Sequence, residues 1–235
     1  MQKRSMPKTV KMLSLLGSEL SYLEIWDLQK SLVDAIANKA HEETIIFCEH
    51  ELTVTSGRRS KTDNLLHQNH PIYQIERGGD FTLHAPGQLV IYTVLRLNER
   101  FLGIRDYLRF CEDIIITYLK SLHLDAGRYG PTGVWIRDFG GNIKKIASLG
   151  IAVRRWVTYH GIALNILNDL KEFQVIRPCD FESSIMTSLK EQGIHLSLQE
   201  VEQSLIEIFR SKLSSRLELN SLAPDAELEL FEAYQ

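Results

Sequence analysis

The sequence predicts an α+β (mixed α/β) fold, with mixed β-sheets packed by helices in a single domain. Short β-branched and apolar runs recur without strict strand-helix alternation, which favours paired strands over a TIM barrel or a doubly wound sheet. Residues 104–122 show strong helical periodicity, and a second apolar stripe follows Ser18. A chain of 235 residues, 44% hydrophobic and 24% charged, has the composition of a globular protein and the length of one domain with small appendages.

Residues 1–11 carry Lys3, Arg4, Lys8 and Lys11 with little to bury, and read as a flexible segment leading into a strand at 12–16. Leu20, Leu23, Trp26, Leu32, Val33 and Ile36 lie close to a 3.6 period, predicting a long helix with Ser18 as its cap. Strands are expected at 44–48 and 73–76, with the polar stretch 56–64 as connection. The run 88–97 reads as a buried strand. In the next helix Tyr107, Cys111, Ile114, Ile115 and Tyr118 share one face, and Gly127, Gly130, Pro131 and Gly133 interrupt the pattern beyond it. Further strands are expected at 134–137, 145–152, 156–160 and 163–167, with Gly161 between the last two. Ser197 and Glu200 form an S-x-x-E capping box ahead of the last helix. An acidic tail, 218–235, is expected to pack weakly, leaving 12–217 as the folded catalytic domain.

A net charge of -3 supplies no general attraction to nucleic acid or anionic membrane. No stretch is long and apolar enough for a transmembrane helix. Three cysteines without a C-x-x-C pair suit a reducing compartment, so a cytoplasmic location is expected. Of eight histidines only His67 and His70 lie close together, and H-E-x-x-H is absent; no metal is expected.

Three segments stand apart. In Glu76–Tyr92, Arg77 precedes a Gly-Gly pair whose freed amides suit a carboxylate, a phosphate or an acyl thioester; neither G-x-G-x-x-G nor a P-loop is present. In Gly140–Ile166, strand alternation sends Lys144 and Lys145 to opposite faces, and Lys145, followed by Ile146 and Ala147, is the one expected to be desolvated. In Ile176–Leu189, Cys179 follows Pro178 among polar neighbours, whereas Cys48 and Cys111 sit in apolar patterns. Cys179 is therefore the candidate nucleophile.

Together these segments resemble the lipoyl(octanoyl) transferase family of lipoate biosynthesis. Its R-G-G-x-x-T-x-H-x-P-G-Q pattern is complete from Arg77 to Gln88; G-x-K-I-A-x-x-G runs from Lys145 to Gly150 with Ile143 in place of the first glycine; H-G-x-A-L-N is His160–Asn165; and Pro178-Cys179 gives P-C. Two further glycines of the family are replaced, by Ala85 after the motif histidine and by Asp180 after the cysteine. A negative charge at Asp180 would oppose a neighbouring thiolate unless turned away or paired with Arg177. Ala85 is expected to keep a backbone angle allowed to L-residues.

The resemblance implies the lipoate/biotin protein ligase-like fold, with no cofactor and no metal. It implies transfer of octanoyl from octanoyl-acyl carrier protein, through a thioester on Cys179, to a lysine of the lipoyl domains of 2-oxoacid dehydrogenase complexes and of glycine cleavage H protein. Lys145 would pair with Cys179. The acyl group would be bound by Arg77, Gly78, Gly79 and Asp80, by Phe81, Thr82, Leu83 and His84, and across from them by Ser148, Leu149, Gly150, Gly161, Ile162 and Ala163. A monomer is expected, with Arg58, Arg59, Lys61, Arg154 and Arg155 as candidate landing points for an acidic carrier. The alternatives are an ATP-dependent lipoate or octanoate ligase, an amidotransferase between lipoyl domains, and a non-catalytic acyl-binding module.

Overall fold

A computed structural model describes residues 9–18, 20–138 and 140–222, without the side chains of Cys179 and of 217–222. Residues 1–8 of the expected N-terminal segment and 223–235 of the acidic tail lie outside the described residues.

The chain runs through β1 (Val10–Ser14), α1 (Tyr22–Ala37), β2 (Glu43–Cys48), β3 (Thr53–Ser56), β4 (Ile72–Gln74), β5 (Thr82–His84), β6 (Gln88–Val94), α2 (Leu97–Arg100), α3 (Ile104–Ser121), β7 (Asp125–Gly127), β8 (Gly133–Arg137), β9 (Ile143–Arg154), β10 (Val157–Asn165) and α4 (Leu198–Leu222), with 3-10 turns between β10 and α4. Seven strands form one sheet in the order β1-β2-β6-β10-β9-β8-β7, parallel only between β1 and β2. A smaller sheet, β4-β3-β5, packs beside it.

Period-two alternation splits the large sheet between two cores. Ile45, Phe47, Leu89, Ile91, Ile162 and Leu164 face the stripe of α3 and Val201, Leu205 and Phe209 of α4. Ile46, Cys48, Val90, Tyr92 and Ala163 face Ile25, Val33 and Ile36 of α1. A third cluster, with Val54, Leu83, Ala85 and Phe173, lies under the small sheet.

The two long helices expected from the apolar stripes, and the capped last helix, are present. At the last helix Ser197 N–H donates to Glu200 Oε2 at 2.8 Å and Glu200 N–H to Ser197 Oγ at 3.3 Å. The cap of α1, however, is Ser21 and not Ser18, because only Ser21 has a glutamate three residues on: Ser21 N–H donates to Glu24 Oε2 at 2.8 Å. The expected strands at 156–160 and 163–167 are one continuous strand, β10, paired on both flanks through Gly161. β3, β5 and β7 were absent from the sequence expectations.

Candidate active site

A cleft opens where the loop between β4 and β5 meets β9 and β10, lined by both walls and by Tyr22, Tyr92 and His160. Arg77 builds the loop wall. It is 7% exposed; its Nη2 donates to Thr55 O at 2.8 Å and Thr55 Oγ1 at 3.0 Å, and its Nη1 to Gly78 O at 3.2 Å. The loop is fastened to the sheet by Gly78 N–H donating to Ile151 O at 2.9 Å.

Two motif glycines make room for protein. A Cβ on Gly150 would fall 2.9 Å from Arg77 Cδ, and one on Gly161 would fall 2.0 Å from the Ile91 carbonyl oxygen. Gly79, Asp80, Phe81, Thr82 and His84 line the cleft, as do Ser148, Leu149, Ile162 and Ala163. Gly78 and Leu83 are not among its lining residues, and Leu83 is fully buried under the small sheet. Alternation along β5 accounts for Leu83, since Thr82 and His84 share the other face.

Lys145 reaches the cleft through a β-bulge. Trp135 of β8 pairs with Lys145 but Val134 pairs with Ala147, so Ile146 has no partner. Ile146 and Ala147 consequently both face the core beside α3, and Lys145 emerges on the same side as Ser148 and Gly150, both cleft-lining residues. Simple alternation would have put Lys145 and Ser148 on opposite faces. Lys145 is 2% exposed, with Nζ 5.5 Å from the Trp135 ring centroid, and its carbonyl accepts from Thr187 N–H at 2.9 Å. That bond draws the chain following Cys179 onto the edge of β9, where β10 has already ended.

Cys179 occupies the 3-10 turn Pro178–Asp180, and Pro178 lines the cleft with Lys145. The other two thiols are fully buried, and burial pushes that of Cys111 up to about 12. Asp180 adopts the left-handed region at φ 66°, where the pattern has glycine. It pairs with Lys61 at 2.6 Å and accepts from Asn64 Nδ2 at 2.8 Å; Arg177, the partner considered for it from the sequence, lies 3.6 Å from Glu182. Lys61 and Asn64 hold the Asp180 carboxyl below the usual carboxylate range. Asn64 Nδ2 also donates to Asp80, so one amide joins the cysteine turn to the glycine loop. Ala85 is buried and has no positive φ, as expected.

His84 is defined by a chain of amides. Gln88 Nε2 donates to Leu83 O at 3.2 Å and Asn165 Oδ1 at 2.9 Å, which turns Gln88 Oε1 toward His84 Nδ1 at 2.9 Å. The neutral ring therefore carries its proton on Nδ1 and keeps the lone pair on Nε2. Burial lowers His84 to about 4. Tyr22, Tyr92 and His160 were not assigned to the site from sequence; Tyr22 lay in a segment read as helix but off its apolar pattern, Tyr92 in a strand, and His160 was a motif residue without a role. Tyr92 OH lies 2.7 Å from Nε2 of the buried His50.

Of the candidate landing points, Arg154 and Arg155 are engaged within the chain, at 2.8 Å from Asp34 and 2.7 Å from Asn38 Oδ1. Arg58 and Arg59 are exposed on a turn whose amides donate to Arg77 O and Gly79 O at 3.0 and 3.1 Å.

The pattern of the lipoyl protein ligase A/B catalytic domain matches residues 21–210, a span that includes both walls of this cleft. The chain belongs to that family. Within it, the chain is 39% identical over 206 residues to the octanoyltransferase of Syntrophotalea carbinolica, covering 87% of this chain and 95% of that one. It is 36% identical over 200 residues to the octanoyltransferase of Bacteroides fragilis, covering 79% and 90%. The structure of a lipoate-protein ligase A bound with ATP superimposes with a TM-score of 0.63 at 17% identity, over 93% of this chain and 95% of that one, a likeness of fold. This family member thus has the lipoate/biotin protein ligase-like fold its motifs implied. Among the described residues no group of histidine, cysteine and carboxylate side chains is placed to hold a metal, and no helix is long and apolar enough to cross a membrane.

Proposed function

We propose that this chain moves an octanoyl group from octanoyl-acyl carrier protein to the lysine of a lipoyl domain through a thioester on Cys179. The observation that carries the reading is the bulge that brings Lys145, sealed from water, into the cleft lined by Pro178, the neighbour of Cys179. The relatives named octanoyltransferases support octanoyl as the group transferred.

In the first step the Cys179 thiolate attacks the donor thioester, and the Lys145 ammonium protonates the departing carrier thiolate. In the second, the acceptor lysine attacks the enzyme thioester, its proton passes to the now neutral Lys145, and Cys179 leaves as thiolate. A thioester is a suitable intermediate because amines attack it more readily than an ester. The backbone of the Arg77–Asp80 loop and of Ser148–Gly150 would enclose the acyl group.

The ATP-bound fold neighbour favours a second reading, an ATP-dependent lipoate or octanoate ligase. Intact-mass measurement separates the two. Mixing with octanoyl-acyl carrier protein alone is expected to add one octanoyl group, absent in Cys179→Ser. Lys145→Arg, which keeps the charge but gives up no proton at neutral pH, is expected to retain some acylation and stall on adding the lipoyl domain. Octanoate-dependent exchange of pyrophosphate into ATP, without acylation by the carrier, would establish the ligase instead.

A further inference from the structure

We propose that Glu112 is a positioning residue for Lys145, acting through the backbone of Gly133; this rests on the proton-transfer role given to Lys145 above. Glu112 is a buried charged residue of α3, on the helix face between Ile116 and Leu119. Its carboxylate is 3% exposed and accepts from Arg109 Nη1 at 2.9 Å and Arg128 Nε at 2.5 Å. A buried carboxylate is tolerated only when its oxygens are paired, and the remaining oxygen, Oε1, accepts from Gly133 N–H at 3.2 Å.

Gly133 opens β8 at φ 139°. A Cβ there would lie 2.7 Å from Lys145 Cε, 3.3 Å from Lys145 Nζ and 2.7 Å from the Ala147 carbonyl oxygen. The end of the lysine therefore rests against the bare backbone of Gly133, and Glu112 holds that backbone by its N–H. Arg128 in turn is held by Asp113 at 2.7 Å, which fixes the far side of the carboxylate. A charged pair in the helix layer thus sets the seat of an amine on the opposite side of the sheet without touching it.

The test is competitive acetylation with acetic anhydride, which reads the accessibility and free-base fraction of each lysine by peptide mass, combined with single-turnover kinetics of both half-reactions. Glu112→Ala is expected to change Lys145 labelling at least threefold relative to the half-buried Lys144 on the same strand. It should also slow transfer to the lipoyl domain by about tenfold or more, as misplacement of a catalytic group does, with the donor KM within twofold. Glu112→Gln keeps one acceptor oxygen, which serves Gly133 only if the amide nitrogen turns toward Arg109 and Arg128, and is expected to recover part of both. Gly133→Ala probes the same contact from the other side, and should alter Lys145 labelling even if Glu112→Ala does not fold. Wild-type labelling and transfer in a folded Glu112→Ala, with only a lower Tm, would overturn the inference. If Lys145→Arg itself transfers normally, the proposed role of Lys145 fails; a change in Lys145 labelling in Glu112→Ala would still locate the amine's seat at Gly133.

Discussion

The two walls of the cleft are built by different means. The sheet wall, β9 and β10, is a ladder held by neighbouring backbones, broken only at Ile146, and its motif glycines Gly150 and Gly161 are bare because Arg77 or another strand occupies the space. The loop wall and the cysteine turn have almost no ladder, and are held by side chains: Arg77 on Thr55, Asn64 on Asp80 and Asp180, Lys61 on Asp180. On the sheet wall a substitution meets sterics. On the loop wall it meets charge and hydrogen bonding, which neighbouring groups can redistribute.

The sharpest contrast comes from Gly161→Ala. With a carbonyl oxygen 2.0 Å from the new Cβ, β6 and β10 must separate or twist, and a loss of about 3 kcal/mol is expected, at the upper end for overpacking. Denaturant unfolding would measure it; a loss below about 1 kcal/mol would show that the ladder yields more easily than its geometry suggests.

His84, at the join between the walls, gives the next effect. An unfolded chain protonates this imidazole near the ordinary histidine value of 6.5, the folded chain only near 4. The unfolded state therefore binds more protons between those values, so stability is full above pH 6.5 and falls as pH drops toward 4. At about 1.4 kcal/mol per unit, the loss approaches about 3 kcal/mol. Burial also lowers His50 and His160, which act in the same direction. Tm measured from pH 7 to 4 should decline, and His84→Gln should flatten part of the slope; an unchanged slope would mean that the ring is protonated and paired in the fold.

Asp180→Gly should do least. It removes the link to Lys61 and Asn64 but gives the left-handed φ of 66° to the residue that adopts it freely. The exposed pair with Lys61 is of the kind worth little, so Tm should hardly move, and the acylation rate should stay within a few-fold. A large loss of acylation at unchanged Tm would show that the link to Asn64, not the fold, aligns the cysteine turn.

The sequence carried the helices, the core pattern and the motif segments, because those features repeat within a few residues. The Ser21–Glu24 capping box was also spelled out, four residues after Gly17, but Ser18 competes with it for the same role in a reading by periodicity. Gly161 looked like a break since glycine is a poor strand former; only strands on both flanks hold it in line. β3 and β5, four and three residues long, are too short for alternation to register. The pairing of Asp180 with Lys61 joins positions 119 apart and leaves no local trace. Nor does the bulge at Ile146, which appears only when β8 is laid against β9.

That bulge turns sequence spacing into a matter of parity. In a regular strand, the face a residue occupies depends on whether its distance from a reference position is odd or even; one extra residue reverses the answer for everything on one side of it. Lys145 shares a wall with Ser148 and Gly150 because a single unpaired residue intervenes. Shortening the Lys145–Gly150 interval by one would do more than tighten the strand. If the ladder beyond were restored to regular register, the amine would exchange sides with its neighbour and enter the apolar layer beneath α3. The length of that motif is therefore as much a part of the site as the lysine it contains.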